Sequence, residues 1–154
     1  MIIYLEDDAS MRRHSSDLLK EAGYVVSDFR RIDQVKEFFT NHVDEIECVI
    51  TDLNMSDEWL GKYRNESDGG MISGWVWLQQ FVYTVNPYMP TVIYSGYIPY
   101  LKDWLLAEGE EALQKLKKAN IICVEKGDGE WEGFEGLKRT LQEKLHIKPS
   151  LKHN

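Results

Sequence analysis

The sequence has 154 residues, of which 43% are hydrophobic and 29% charged, and it carries a formal charge of -8 at pH 7. This length and composition are typical of one globular domain. The acidic balance, with no basic patch to offset it, argues against non-specific binding to nucleic acid or to anionic membranes. We therefore expect neither nucleic acid nor a membrane among the partners.

Both cysteines, Cys48 and Cys123, lie within apolar runs and lack the spacing of a metal site. This favours small core residues over a disulfide or a metal centre, and it fits a reducing cytoplasm. The N-terminus has no basic region followed by an apolar one, and no run approaches the roughly 18 apolar residues of a membrane span. We expect a cytoplasmic location.

Short apolar runs alternate with helical patterns five times along the chain. The predicted strands are Met1–Leu5, Tyr24–Ser27, Cys48–Asp52, Thr91–Tyr94 and Ile121–Val124. Apolar residues at helical spacing predict a helix after each strand. The apolar faces of these helices are Met11, Leu18, Leu19 and Ala22; Ile32, Val35, Phe38 and Phe39; Trp75, Leu78, Val82 and Val85; Leu101, Trp104, Leu105, Ala112, Leu113 and Leu116; and Trp131, Phe134, Leu137, Leu141 and Leu145.

Glycines and prolines mark predicted ends and breaks of these helices. Gly23 is expected to cap the first helix, Pro87 and Pro90 to end the third, and Gly109 to interrupt the long fourth one. The segment 56–70 is polar and glycine-bearing with no periodicity, so we predict a loop there.

Alternating strands and helices with right-handed crossovers predict a doubly wound α/β fold. The expected sheet is parallel, has the order 2-1-3-4-5 and carries helices on both faces. Strands one and three are then neighbours at its centre. We predict one domain over residues 1–146, followed by a short polar tail over 147–154.

Four of the predicted strands are followed by residues whose side chains can bind ions or react. Glu6 and Asp7 follow the first strand, Asp52 ends the third, Ser95 follows the fourth, and Lys126 comes just after the fifth. All carboxyl ends of an open parallel sheet lie along the edge where ligands bind. A single polar residue after a strand is usually only a solvated loop, but four such ends in order predict a common site.

Carboxylates gathered at one edge repel each other, by roughly 4 kcal/mol for a pair 4 Å apart at an effective dielectric of 20. A cation should therefore lie among Glu6, Asp7 and Asp52. Oxygen ligands without His or Cys favour a hard ion such as Mg²⁺. Lys126 adds a second positive charge and Ser95 a hydrogen-bond donor. A carboxylate next to a metal ion, an ammonium and a hydroxyl can attack phosphorus and form an aspartyl phosphate.

Four motifs resemble, in their order along the chain, those of receiver domains in the response regulators of bacterial two-component signalling. They are Leu5–Asp8 with Met11–Arg13, Ile50–Met55, Ile93–Gly96 and Val124–Lys126. The likeness covers nearly the whole chain and is closest to stand-alone receivers. It implies a flavodoxin-like fold.

The resemblance also implies roles for individual residues. Asp52 would be the phosphoacceptor, and Glu6 and Asp7 the acidic pair. Mg²⁺ would be held by Asp7, Asp52 and the backbone carbonyl of Asn54, with Glu6 acting through water. The residues that would hold the phosphoryl group or keep access to it open are Asn54, Ser95, Gly96 and Lys126.

Several positions depart from the family pattern. Gly127 and Ser56 stand where prolines are usual, and 56–70 looks like an insertion, for which we prefer a surface loop over a partner-specific lid. Cys123 replaces an aromatic residue that often rotates with the switch hydroxyl. We therefore expect the response to run through the loop after Ser95. The switch and output residues would be Ser95, Tyr97, Tyr100 and Cys123.

The resemblance implies a phosphorylation switch that accepts a phosphoryl group from a histidine kinase or a phosphotransfer protein. It would then bind a downstream protein through the fourth helix, the fifth strand and the fifth helix, as a monomer or weak dimer. Such a protein is not an enzyme acting on metabolites. The alternative is a pseudo-receiver that only binds proteins, and an Mg²⁺-dependent phosphatase is a distant third because no cap domain is present.

Overall fold

A five-stranded parallel sheet forms the centre of the protein. The computed structural model describes residues 1–127 and 130–150. The strands are β1 (Ile2–Leu5), β2 (Val26–Phe29), β3 (Cys48–Thr51), β4 (Thr91–Ser95) and β5 (Ile121–Glu125). They pair in the order β2-β1-β3-β4-β5, and every pair is parallel. This confirms the doubly wound fold predicted from the sequence.

Helices cover both faces of the sheet. They are α1 (Ala9–Glu21), α2 (Ile32–His42), α3 (Ser73–Trp77), α4 (Ile98–Glu108), α5 (Glu110–Gln114) and α6 (Glu130–Arg139). One apolar cluster joins strand residues such as Tyr4 to α1 and α6, and another joins residues such as Leu5 to α2, α3 and α4. The strands are apolar on both faces because both faces are covered.

A capping carboxylate fixes the start of α1, and the predicted glycines follow the ends of α1 and α4. The Asp8 carboxylate accepts a hydrogen bond from the Met11 N–H at 2.8 Å and so caps the start of α1. Gly23 follows the end of α1 with φ +97°. Gly109, with φ +128°, separates α4 from α5, which confirms the predicted break in the fourth helix.

The second strand begins two residues later than predicted. The Tyr24 N–H donates to the Leu19 carbonyl at 3.1 Å, so this residue still belongs to the end of α1. The strand instead continues through Asp28 to Phe29. A carboxylate is tolerated there because the hydroxyl of Ser16 donates to it at 2.8 Å.

The apolar stripe predicted for the third helix is correct for Trp75, Leu78 and Val82 but wrong for Val85, whose side chain is 52% exposed. After α3 the chain makes a π turn over Leu78–Val82 and a last helical turn over Tyr83–Val85. A π turn contains more residues than an α turn, so it rotates the residues that follow about the helix axis. Val85 therefore faces away from the core.

The segment 56–70 is more ordered than the predicted loop. It contains 3-10 turns over Glu58–Ser67, interrupted at Gly61. The side chains of Leu60 and Ser67 are 1% and 0% exposed. Periodicity did not indicate these turns because short 3-10 pieces have no extended apolar repeat.

The start of the predicted tail packs on the domain. Ile147 is buried against the α1 and α6 side of the sheet, and the Ser150 N–H donates to the Gly23 carbonyl at 2.8 Å. The side chain of Trp131, predicted to face the core, and residues 151–154 lie outside the described part of the chain. Within the described residues, no helix has the length and apolar character needed to cross a membrane.

Candidate functional site

Strand register brings two carboxylates together at the carboxyl edge of the sheet. Leu5 of β1 lies opposite Thr51 of β3, so Glu6 and Asp52 are the first residues beyond neighbouring strands. The Asp52 N–H donates to the Leu5 carbonyl at 3.1 Å, which fixes it against β1. Glu6 is 1% exposed and Asp52 7% exposed. Two buried carboxylates in one place require a compensating cation.

Lys126 provides that cation. Its ammonium donates to Asp52 Oδ2 at 2.8 Å and to Glu6 Oε1, and it lies 5.6 Å from the centroid of the Tyr94 ring. Burial acts to lower the pKa of Lys126, but the charges of Asp52 and Glu6 outweigh it and leave this pKa raised. The ammonium therefore stays charged between the two carboxylates.

The other oxygens of the two carboxylates are held by backbone groups. Asp52 Oδ1 accepts a hydrogen bond from the Leu53 N–H at 2.7 Å. Glu6 Oε2 accepts one from the Asp8 N–H at 3.3 Å, and the Glu6 carbonyl accepts one from Arg12 at 2.8 Å. These contacts orient both side chains before any ligand binds.

One lysine does not neutralise the acidic site. Burial, and then the charge of Asp52, raise the pKa of Glu6 to about 7, although Lys126 opposes the shift. The pKa of Asp7, an exposed residue, is also raised, first by partial burial and then by Asp52. Burial is the larger cause of both shifts and the charge of Asp52 the second, and a cation bound beside these carboxylates would oppose both.

The donor set fits Mg²⁺, which binds oxygen and keeps several waters. Asp7 and Asp52 follow neighbouring strands, and Asn54, partly buried, comes two residues after Asp52. Over residues 1–127 and 130–150, no three His, Cys, Asp or Glu side chains form a ready metal centre. The predicted ligands comprise two side chains and one carbonyl, so water would complete the coordination.

Ser95 ends β4 and contacts the backbone of Lys126, and Gly96 follows it. The Ser95 carbonyl accepts a hydrogen bond from the Lys126 N–H at 3.2 Å, and its buried hydroxyl oxygen accepts one from the Tyr97 N–H at 3.0 Å. A serine hydroxyl that accepts one bond can still donate another. Gly96 is exposed, and apart from Gly96 and its two chain neighbours no heavy atom lies within 4 Å of the position that a β-carbon would take. Access to the site is open on this side.

Several solved structures that resemble this chain are receiver domains. A receiver domain protein from Clostridium thermocellum matches with a TM-score of 0.60 at 18% identity, over 93% of this chain and 94% of that one. The receiver domain of the hybrid histidine kinase CckA matches with a TM-score of 0.58 at 18% identity, over 92% of this chain and 98% of that one. A CheY-like receiver domain protein from Methanospirillum hungatei matches with a TM-score of 0.56 at 15% identity, over 93% and 94%.

This chain has the receiver-domain fold. No family model matches the sequence. A search of curated proteins gave no match either. The likeness at these identities is therefore one of fold, and the roles of individual residues rest on the geometry of the site.

In this receiver fold, the structure brings Glu6, Asp52 and Lys126 into direct contact. Ser95 joins them through the backbone of Lys126, while its hydroxyl contacts Tyr97 and not Asp52. Asp7 directly follows Glu6, Asn54 comes two residues after Asp52, and Gly96 directly follows Ser95. The predicted switch residues lie further out, with Tyr97 40% and Tyr100 37% exposed. Cys123, partly buried, lies opposite Ile93 in the sheet.

Sequence reasoning missed a glycine that packs against the backbone of Asp52. The Gly74 N–H, in the first turn of α3, donates to the Leu53 carbonyl at 3.0 Å. A β-carbon on Gly74 would lie 1.8 Å from the Asp52 carbonyl oxygen. The only signal in the sequence is a glycine where alanine would favour a helix.

We expect Gly74→Ala to destabilise the protein by about 2 kcal/mol or more, because the methyl group would force α3 away from the backbone of Asp52. Urea unfolding measures this change as a lower midpoint at constant slope. Gly96→Ala is the matched control, since its β-carbon meets open space, and we expect no change beyond roughly 0.5 kcal/mol. Equal stability of Gly74→Ala and the native protein would contradict the close approach.

Proposed function

We propose that this chain is a phosphorylation-dependent switch of two-component signalling. Asp52 accepts a phosphoryl group from a histidine kinase or phosphotransfer protein, in the cytoplasm and with Mg²⁺ as cofactor. The observation that carries this proposal is the ammonium of Lys126, held between the buried carboxylates of Glu6 and Asp52 at the carboxyl edge of the sheet. The receiver-domain fold supports it.

The chemistry follows from these contacts. A carboxylate oxygen of Asp52 forms a bond to phosphorus while the bond from phosphorus to the donor's imidazole nitrogen breaks, and the nitrogen keeps the electron pair. Lys126 already contacts Asp52 and would pair with the phosphoryl oxygens as charge develops there. Ser95 and the open side at Gly96 would receive another of these oxygens. Bound Mg²⁺ would supply the remaining positive charge.

Asp7, Asp52 and the Asn54 carbonyl would hold the ion, with Glu6 acting through water. The phosphorylated form would then present a changed surface of α4, β5 and α6 to a downstream protein. The protein would catalyse only its own phosphorylation and dephosphorylation and would not act on metabolites. The switch residues would be Tyr97 and Tyr100.

A pseudo-receiver is the second candidate function, because Cys123 has no ring to move with the switch hydroxyl. Incubation with Mg²⁺ and phosphoramidate, followed by intact mass measurement, separates the two. The switch should gain one phosphoryl group, and it should gain none in excess chelator. A protein whose mass never changes would be a pseudo-receiver.

We expect Mg²⁺ to bind without phosphate, because Glu6, Asp7 and Asp52 carry more negative charge than Lys126 offsets. Calorimetry should show that Asp7→Ala weakens binding most, while Glu6→Gln weakens it less. Affinity should rise from pH 6 to pH 8, because Glu6, with its pKa of about 7, loses its proton over this range and adds negative charge beside the ion.

Asp8→Ser is the matched control for this measurement, because serine can also cap α1 and Asp8 is not a predicted ligand. It should leave Mg²⁺ affinity near that of the native protein. Native affinity in Asp7→Ala would show that Asp7 is not a ligand. A pH dependence that persists unchanged in Glu6→Gln would assign it to another group.

A further inference from the structure

The segment 56–70, called the insertion below, is attached to the loop that follows Asp52. The Met55 N–H donates to the Gly70 carbonyl at 3.1 Å, and the Ser73 hydroxyl donates to the Met55 carbonyl at 2.8 Å. Gly70 has φ +97°, and a β-carbon there would lie 2.7 Å from the Met55 carbonyl oxygen. Only glycine suits this contact. The end of the insertion is therefore fixed to the loop after the phosphoacceptor.

Polar contacts make the insertion one ordered unit. The Asp57 carboxylate accepts a hydrogen bond from Arg64 at 3.1 Å, and the buried Ser67 hydroxyl, 3.2 Å from the same carboxylate, lies 2.8 Å from the Arg64 carbonyl oxygen, to which it donates. The Ser67 hydroxyl oxygen in turn accepts a bond from the Gly70 N–H at 3.2 Å. Leu60 anchors the same unit in the core. A displacement at one end of such a unit is carried to the other.

Asp68 connects this unit to α4. Its carboxylate accepts a hydrogen bond from the hydroxyl of Tyr100, which lies in the first turn of α4. Asp68 has φ +52°, a left-handed conformation that few residues other than glycine, asparagine and aspartate adopt readily. The hydrogen bond to Asp68 raises the pKa of Tyr100, so the hydroxyl keeps its proton and remains a donor.

The start of α4 has a second attachment, to the candidate phosphoryl site. The Tyr97 N–H donates to the Ser95 hydroxyl oxygen at 3.0 Å, and the Tyr97 carbonyl accepts the first hydrogen bond of the helix, from Leu101, at 3.0 Å. If Ser95 rotates toward a phosphoryl group, its oxygen leaves Tyr97. The hydrogen bond between Asp68 and Tyr100 lies about one helical turn from the bond between Ser95 and Tyr97, so both contacts act on the start of α4.

We propose that the hydrogen bond between Asp68 and Tyr100 is a latch that holds α4 in its unphosphorylated position against the insertion. This inference rests on the proposed phosphorylation of Asp52 and names a regulatory contact for it. If the latch forms only while the phosphoryl site is empty, it lowers the affinity of that site for a phosphoryl group, and occupation of the site weakens the latch by the same factor. Loss of the latch must therefore both loosen α4 and favour occupation of the phosphoryl site.

The test is Tyr100→Phe, which removes the donor and keeps the ring. Amide exchange of residues 98–108 should be faster in this variant before any phosphate mimic is added. Its affinity for beryllofluoride with Mg²⁺ should rise by about two- to fivefold, the range expected for an exposed contact with a charged group. Asp68→Asn keeps an acceptor oxygen and tolerates the left-handed backbone, so it should give a smaller change.

Tyr88→Phe is the matched control, because Tyr88 is an exposed tyrosine outside the latch, and it should behave as the native protein. Native exchange of α4 in Tyr100→Phe, together with native beryllofluoride affinity, would overturn the latch while leaving the switch intact. A native protein that binds no beryllofluoride with Mg²⁺ would overturn the proposed function, and any link between the latch and phosphorylation with it.

Discussion

Replacing Asp52 with asparagine should abolish the phosphoryl group gained from phosphoramidate and Mg²⁺. The amide is a poor nucleophile and carries no charge, but it keeps the shape of the carboxylate. Its oxygen can still accept the hydrogen bond that the Leu53 N–H donates to Asp52 Oδ1. Intact mass should therefore show no added phosphoryl group on a protein that remains folded.

Asp103→Asn is the matched control, since Asp103 is an exposed carboxylate on α4, away from the sheet edge. It should be labelled to the same extent as the native protein. Labelling of Asp52→Asn at the native level would place the acceptor on another residue. Thermal unfolding of each variant, recorded beside its mass, separates lost chemistry from a lost fold.

The residues at the carboxyl edge of the sheet could be predicted from the sequence, because the ends of the short apolar runs that form parallel strands lie at one edge. Because parallel strands end at the same edge, Glu6, Asp52 and Lys126 could be grouped without information on long-range packing. The structure adds the contacts within that group. It also reveals that the Ser95 hydroxyl contacts Tyr97, which no spacing in the sequence indicates.

Features that depend on long-range packing could not be predicted in the same way. Gly74 matters because α3 approaches the Asp52 carbonyl, and a single glycine does not reveal what approaches it. The exposure of Val85 depends on a π turn that leaves no mark on apolar periodicity. The contact from Asp68 to Tyr100 joins residues 32 positions apart on an insertion and a helix.

Removing the ammonium of Lys126 should destabilise the metal-free protein strongly. Lys126→Met keeps a side chain of similar length beside Tyr94 but leaves the buried carboxylates of Glu6 and Asp52 facing each other without a cation. Loss of one partner of a buried ion pair typically costs about 3–5 kcal/mol. Urea unfolding at pH 8 should show a loss of this order, whereas Lys126→Arg, which keeps the charge, should lose less.

The loss of unfolding free energy in Lys126→Met should shrink as the pH falls from 8 to 6. Burial and Asp52 already raise the pKa of Glu6 to about 7, and removal of Lys126 takes away a group that opposes this shift. A carboxyl group with a raised pKa in the folded state binds protons more tightly there than in the unfolded chain, so protonation favours folding. Equal losses at pH 6 and pH 8 would mean that Glu6 stays charged in the variant.

Magnesium should restore part of the stability that Lys126→Met loses at pH 8. An ion that binds only the folded protein stabilises it by an amount that grows with the ratio of its concentration to its dissociation constant. The variant has more uncompensated negative charge than the native protein, so its unfolding midpoint should rise more on titration with Mg²⁺. If Mg²⁺ raises neither midpoint, Asp7 and Asp52 do not form a cation site, and the acidic edge depends on Lys126 alone.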